Sequence, residues 1–241
     1  MIWLFTDFGA EGPYLGQTEA VLRLGAPGAD VINLLSNAPT AQPRLSTYLL
    51  AALSQRLPTG SVLLCVVDPG VGGKRLAVAL EADGRWFVGP ENGLLNTVAQ
   101  QAQKTSWRII DWRPDRLSAS FHGRDLFAPI AARIAKGDFS WAGRPWEGPD
   151  LSHWPADIET IIYFDHYGNA VTGRRYVPDL DGKTLAVNGH RIPQAQTFCT
   201  MPEGATFWYR NSMDLIEIAI NRGRAVDILG LSLGMEFGFE K

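Results

Sequence analysis

At 241 residues, 46% of them apolar and 20% charged, the chain has enough apolar material for a sizeable core in one large or two small domains. A formal charge of −3 shows none of the basic character expected of a nucleic-acid binder. Cys65 and Cys199 are the only cysteines and no CxxC occurs, which argues against a disulfide framework and fits a reducing cytoplasm. The opening Met1-Ile2-Trp3-Leu4-Phe5 is too short in apolar residues for a signal peptide. No apolar run approaches the ~20 residues of a membrane span.

Apolar patterning predicts a strand over 2–5, a helix over 14–24 and a second strand over 31–34. A helix over 45–56 follows, apolar at Leu45, Leu49, Ala52 and Leu53. The strongest strand is Val62-Leu63-Leu64-Cys65-Val66-Val67, where Cys65 reads as a buried thiol. Strands over 76–80 and 86–88, a helix over 93–103 and a strand over 107–111 come next. A helix over 125–136 is ended by Gly137. Alternating strands and helices argue for a mainly parallel α/β sheet. From Ser140 to Pro155 the chain is aperiodic and rich in Trp, Pro and Gly, and reads as a connection between domains. Short β-type stretches then dominate, over 159–164, 169–176, 183–187, 191–192, 206–209, 215–221 and 235–239. Asp181-Gly182 and Asn188-Gly189 supply turn signals between them. This second half predicts a small antiparallel barrel or sandwich. The expected division is 1–145, a linker over 146–157, and 158–241.

Two segments concentrate chemistry. Asp68-Pro69-Gly70-Val71-Gly72-Gly73-Lys74-Arg75 places a carboxylate where the best strand ends and a glycine-rich turn begins. Ligands of open α/β sheets bind at that carboxyl edge. Phe121-His122-Gly123-Arg124-Asp125 brings an imidazole, a guanidinium and a carboxylate together just before a helix. A carboxylate, an arginine and a histidine can hold and activate water. Spacing alone describes equally an ion pair at a turn and a helix-capping histidine. Asp7, after the first strand, is either a turn residue or a hydrogen-bonding carboxylate. Asn92, in Pro90-Glu91-Asn92-Gly93, is either a helix N-cap or a ligand contact. Gly72-Gly73-Lys74 is no phosphate loop, because Asp68 and Arg75 stand where a Walker motif needs Gly and Ser or Thr. There is no GxSxG or HExxH, and His153, His166 and His190 lack metal-ligand spacing, so no metal site is expected.

These segments, with several others, resemble the S-adenosylmethionine hydroxide adenosyltransferase family, relatives of fluorinase and chlorinase. Thr6-Asp7-Phe8-Gly9 with Tyr14-Leu15-Gly16 is similar to the family's opening. Val66 to Gly72 with Arg75, Gly89 to Leu95, and Phe121 to Pro129 follow in family order. Asp165-His166-Tyr167-Gly168-Asn169-Ala170-Val171-Thr172, Asn211-Ser212 and Glu217-Ile218-Ala219-Ile220-Asn221 come late in the chain. The resemblance implies an N-terminal Rossmann-like, mainly parallel α/β domain and a small C-terminal antiparallel β-barrel-like domain. It implies hydrolysis of S-adenosyl-L-methionine to adenosine and L-methionine, by water or hydroxide attacking C5′ of the ribose. Asp68, Arg75 and His122 would handle the water. Asp7, Asn92, Asp165, Tyr167, Asn169, Phe198, Asn211 and Ser212 would contact substrate. It further implies no cofactor, no nucleic-acid or membrane partner, and a homotrimer with each site shared between the N-domain of one subunit and the C-domain of its neighbour.

Four departures stand out. The family's second acidic residue after its opening motif, a ribose ligand, falls at Gly12, next to Glu11. Its usual histidine falls at Ser36, with a nearby aromatic falling at about Ala41. The Asn after Thr172 is replaced by Gly173, and the small region after Asn211-Ser212 reads Met213-Asp214. Losing a bidentate ribose carboxylate removes two charge-assisted hydrogen bonds, each about 1.5–3 kcal/mol. These departures set against the hydrolase a non-catalytic adenosine or S-adenosylmethionine binder of the same fold. A related nucleoside-cleaving enzyme is a third reading. Halide transfer ranks lower, since fluorinase-type enzymes lack the Asp/Arg/His set.

Overall fold

The computed structural model describes residues 1–141 and 143–240. The chain divides into two compact units, Met1–Trp154 and a second beginning at Pro155. The first unit contains β1 (Ile2–Thr6), α1 (Tyr14–Gly25), β2 (Val31–Leu35), α2 (Pro43–Ser54), β3 (Val62–Val66), β4 (Ala77–Ala82), β5 (Arg85–Pro90), α3 (Asn96–Gln101), β6 (Thr105–Ile109), α4 (Ala128–Ala135) and β7 (Pro145–Trp146). They form a seven-stranded sheet of order β2-β1-β3-β5-β4-β6-β7.

The sheet is parallel across β2-β1-β3-β5 and antiparallel beyond β5. The change of direction has a local cause. Asp83 and Gly84 both take positive φ, which makes a two-residue hairpin whose twist suits adjacent antiparallel strands. That hairpin puts β4 beside β5, and the later strands add outward. All five residues of β3 are buried, as expected for a central strand covered on both faces. Val62, Leu64 and Val66 point into a core shared with Leu22, Phe127, Ile130 and Ala131 from the α1 and α4 side. Period-two alternation sends Leu63 and Cys65 to the opposite face. Gly89 is obligatory for sheet packing, because a Cβ there would lie 2.2 Å from the Cys65 carbonyl oxygen.

The last helix differs from its predicted span. Gly123–Phe127 forms a π-turn, and the regular helix begins only at Ala128. Pro129 accounts for this, because it has no N–H and its ring crowds the carbonyl four residues earlier. The ladder therefore widens just ahead of it. Gly137 closes α4 at φ 72, with Gly137 N–H on the Ile134 carbonyl and Asp138 N–H on the Arg133 carbonyl. Much of the aperiodic stretch after Ser140 packs within the first unit. Trp141 is buried, β7 pairs with β6, and Trp154 Nε1 donates to Thr97 Oγ1 at 3.0 Å.

The second unit is antiparallel. Its strands are β8 (Ile161–Phe164), β9 (Ala170–Arg175), β10 (Leu185–Val187), β11 (His190–Ile192), β12 (Thr206–Arg210), β13 (Leu215–Ile220) and β14 (Gly238–Phe239), with a short helix α5 (Ala225–Ile228) before the last. A four-stranded sheet runs β12-β13-β9-β8 and a three-stranded sheet β11-β10-β14. One apolar cluster unites them, including Ile161, Leu185, Ile192, Trp208, Ile216, Ile218 and Phe237. Asn188-Gly189 forms the predicted tight hairpin, both residues at positive φ. Among the described residues no helix is long and apolar enough to cross a membrane.

Candidate functional site

In the first unit, β1 and β3 run in parallel register, Thr6 opposite Val66. Their ends therefore deliver Asp7 and Asp68 to one edge of the sheet. Arg75 returns across the glycine-rich turn to grip Asp68. Its Nε lies 3.1 and 2.9 Å from the two carboxylate oxygens, and its Nη2 also donates to Oδ2. The pair is well covered, with side-chain exposures of 4% for Asp68 and 11% for Arg75. The Phe127 ring lies against the guanidinium, 5.2 Å from its centroid to Cζ. Arg75 Nη2 is also 3.0 Å from His122 Nδ1.

That last contact defines the histidine's chemistry. A guanidinium only donates, so Nδ1 must accept and the imidazole proton sits on Nε2. Burial, and then the Arg75 charge, lower the His122 pKa below the ordinary 6.5, which favours this neutral form. Two further contacts hold the loop that carries His122. Gly72, at φ 77, would bring a Cβ to 2.4 Å from the Ala119 carbonyl oxygen, so the glycine turn presses directly on the 118–121 loop. Asp125 Oδ2 accepts from Ser118 N–H at 2.9 Å, while Arg124 Nε donates to Oδ1 at 2.6 Å and holds the carboxyl below its usual range.

Asp7, Asp68, Phe8, Ala41, Val71 and His122 are among the residues lining a cavity of about 120 Å³. Liquid water occupies about 30 Å³ per molecule, so this space has room for water beside Asp68. Asp7 Oδ2 accepts from Ala41 N–H at 2.9 Å, and burial, aided by Asp68, raises its pKa. Asn92 lies outside that lining. Its Nδ2 donates to the Val67 carbonyl at 2.9 Å and its Oδ1 accepts from Leu94 N–H at 3.2 Å, bracing the chain just before Asp68.

In the second unit, Asp165, Tyr167, Asn169, Phe198 and Tyr209, together with residues 220–224, line a cavity of about 560 Å³. Volumes of 300–1,000 Å³ are typical of small-molecule sites. Asp165 and Asn169 close a turn, with Asn169 N–H on Oδ1 at 2.8 Å and Asn169 Nδ2 on Oδ2 at 2.9 Å. Tyr167 is 73% exposed, which leaves its ring available for stacking. Phe198 packs edge-on against Phe207 and Tyr209 at 5.1 and 5.4 Å. Asn211 and Ser212 lie in the β12–β13 connection, away from the cavity lining. Asn211 is buried and holds the hairpin, its Oδ1 accepting from Met213 and Leu215 N–H, and Ser212 is exposed. Six lining residues, Tyr209 and residues 220–224, are not among the sequence candidates. Nor is Glu217, which hydrogen-bonds Tyr209 from beneath. Its signal was a lone carboxylate in the apolar run Leu215-Ile216-Glu217-Ile218-Ala219-Ile220.

The departures acquire local settings. Gly12 is exposed at φ 111, with nothing within 4 Å of a Cβ. Ser36 is buried, its Oγ accepting from Asn33 Nδ2 at 3.3 Å. Ala41 takes a left-handed φ of 57, which aims its N–H at Asp7. At Gly173 a Cβ would lie 2.4 Å from Ile158 Cγ1, so Ile158 fills the space that a side chain would need.

Comparison with known proteins follows the same division. Residues 2–142 match the family model described as SAM hydroxide adenosyltransferase N-terminal domain, and residues 159–237 match the C-terminal domain model. The chain is 38% identical to a Thermus thermophilus protein named (R)-S-adenosyl-L-methionine hydrolase, covering 97% of both chains. It is 34% identical to a protein of the same name from Salinispora arenicola, over 95% of this chain and 93% of the other. It is also similar to a crystal structure of an uncharacterized conserved protein from Thermotoga maritima, at TM-score 0.91, 27% identity and complete coverage of both chains.

The Ile158–Gly173 contact yields a direct expectation. Gly173→Asn destabilises the second unit by about 1–3 kcal/mol through overpacking. Adding Ile158→Ala makes the double variant more stable than the sum of the two single losses, because the two sites share one volume. Thermal unfolding of the three variants checks this, and simple additivity would contradict it.

Proposed function

The chain belongs to the SAM hydroxide adenosyltransferase family, and from that membership we propose that it hydrolyses S-adenosyl-L-methionine to adenosine and L-methionine. The (R)-sulfonium epimer carried in the relatives' names is the expected form of the substrate. The observation that carries the reading is the hydrogen-bonded Asp68–Arg75–His122 set beside a cavity with room for water.

The chemistry asks little of an acid. The water oxygen forms a bond to C5′ as the C5′–S bond breaks, the electron pair goes to sulfur, and methionine leaves as a neutral thioether. One water proton is released. The site must place the oxygen in line and stabilise its developing hydroxide character. In the proposed roles, Arg75 supplies fixed positive charge, Asp68 clamps Arg75, and His122 donates through Nε2–H to the nucleophile. The occupied Nδ1 supports a donor role for His122 over that of a base. The second-unit cavity takes the rest of the substrate. Asp165 faces the α-ammonium, Tyr167 and Phe198 offer rings to the purine, and Asn169 offers its amide. Asp7 contributes a carboxylate at the reacting end, and Asn92 supports Asp68 through the backbone. No cofactor enters this reaction.

We further propose a homotrimer in which the first unit of one subunit and the second unit of its neighbour complete each site. It rests on the family resemblance. A cytoplasmic setting is proposed on the exposed free thiol of Cys199, which suits a reducing compartment. The second reading, a non-catalytic binder, is favoured by Gly12, which offers no side chain for the ribose. Turnover separates the two readings.

Purified protein incubated with S-adenosylmethionine should release adenosine and methionine, detected by chromatography. Arg75→Ala and His122→Ala should lower kcat by about 10²–10⁴-fold while changing the Kd for substrate far less. Equal losses in both would remove these residues from the proposed roles. The rate should also hold as pH falls through 6.5 and then drop at lower pH, because the lowered His122 pKa keeps Nδ1 unprotonated beside Arg75 until that point. An acid limb centred at or above 6.5 would contradict the assignment. Light scattering should give about three times 26.5 kDa, and a monomer would sink the shared sites.

A further inference from the structure

Glu217 is a carboxylate where the fold gives no reason for one. It sits at mid-length of β13 between Ile216 and Ile218, both fully buried, and is itself 5% exposed. Burying such a group is costly unless its oxygens are satisfied. Its partners are neutral donors. Tyr209, directly opposite across the β12–β13 ladder, donates its hydroxyl to Oε1 at 2.6 Å, and Asn211 Nδ2 donates to Oε2 at 2.8 Å. Burial raises the Glu217 pKa and Asp165 adds to the effect, while Tyr209, Asn211 and Asn169 oppose it through hydrogen bonds.

The directions of these bonds are fixed. Asn211 cannot turn its amide over, because its Oδ1 already accepts from Met213 and Leu215 N–H at 2.9 and 3.0 Å. Its Nδ2 must therefore face Glu217. The ionised carboxylate only accepts, so Tyr209 must donate to it. The phenol proton is thereby held away from the cavity, and the Tyr209 oxygen is left with only lone pairs for an occupant. Nearby, the Asn169 amide is turned so that Nδ2 faces Asp165. The Asp165 carboxylate and the Tyr209 oxygen therefore offer acceptors to an occupant of this cavity, which Arg222 and Arg224 also line.

We propose that Glu217 is a positioning residue that keeps the Tyr209 oxygen an acceptor, so that this oxygen and Asp165 together recognise the primary ammonium group of the substrate's amino-acid moiety. The inference rests on the hydrolase reading for the identity of that moiety. Glu217 itself does not touch substrate and acts through Tyr209.

Glu217→Gln tests it with little change of shape. Because Asn211 Nδ2 still needs an acceptor, the Gln carbonyl must face it, and the Gln amide then donates to the Tyr209 oxygen. That reverses the phenol, whose proton becomes free to point into the cavity. For S-adenosylmethionine, KM should rise about tenfold with kcat changed less than about twofold. For the analogue with hydrogen in place of the α-amino group, wild type and variant should show equal KM. Tyr209→Phe, which keeps the ring and removes the oxygen, should show the same selectivity for the amino-bearing substrate and guards against misfolding of the Gln variant. A KM rise of equal size with and without the amino group, or a fall in kcat at constant KM, would overturn the proposal. If the wild type releases no adenosine, the hydrolase reading fails by itself, and Kd values for the two ligands carry the same comparison. Failure of the wild type to bind either ligand overturns both.

Discussion

The site hangs on one guanidinium. Arg75 is shared between Asp68, at the end of the central strand, and His122, in a loop before α4. A planar fork of donors can satisfy two partners at once, which a lysine cannot reproduce. Because Arg75 donates to both, it fixes the orientation of the carboxylate and the tautomer of the imidazole. The surrounding structure serves that geometry: Gly72 lets the turn reach the Ala119 carbonyl, Asn92 braces Val67, and Asp125 anchors Ser118. Each ties a loop of the site to neighbouring backbone.

The second unit solves a different electrostatic problem. Its cavity places Asp165 close to the Glu217 network without an ion pair to Asp165 or Glu217 among the described residues. Arg222 and Arg224 also line the cavity but pair with Glu203 and Asp227, which leaves Asp165 for a ligand that brings positive charge. S-Adenosylmethionine brings two, an ammonium and a sulfonium. The first unit, by contrast, sets a fixed cation beside a cavity with room for water, which suits a nucleophile that becomes anionic.

The departures from the family pattern are not equivalent. Gly173 is tied to Ile158 by packing, so its change has a compensating partner in the core. Ser36 is absorbed by a hydrogen bond from Asn33. Gly12 has no such compensation and simply lacks a side chain at an exposed turn.

Much of this was legible in the sequence, and the reason is locality. A buried strand announces itself by continuous apolar residues, so the place of Asp68 at a strand end could be read from Val62 to Val67. Asn188-Gly189 specifies its hairpin through its own backbone preferences. The motifs around Arg75 and His122 were visible as segments, and the resemblance named their family. The resemblance grouped them, but the hydrogen bond that joins them was not visible, because contact between residues 47 apart depends on which loops the sheet brings together. Strand order was hidden for the same reason: periodicity marks β4 and β6 as strands but does not say that β4 runs antiparallel between β5 and β6. Glu217 and Tyr209 were missed because a cross-strand pair exists only once register is set. The sequence by itself determined the elements, the family and the candidate residues, since these depend on neighbours along the chain. The tertiary structure alone decided the histidine's tautomer, the direction of the Tyr209 hydrogen bond and the small cavity beside Asp68, since these depend on partners that only folding brings within 3 Å.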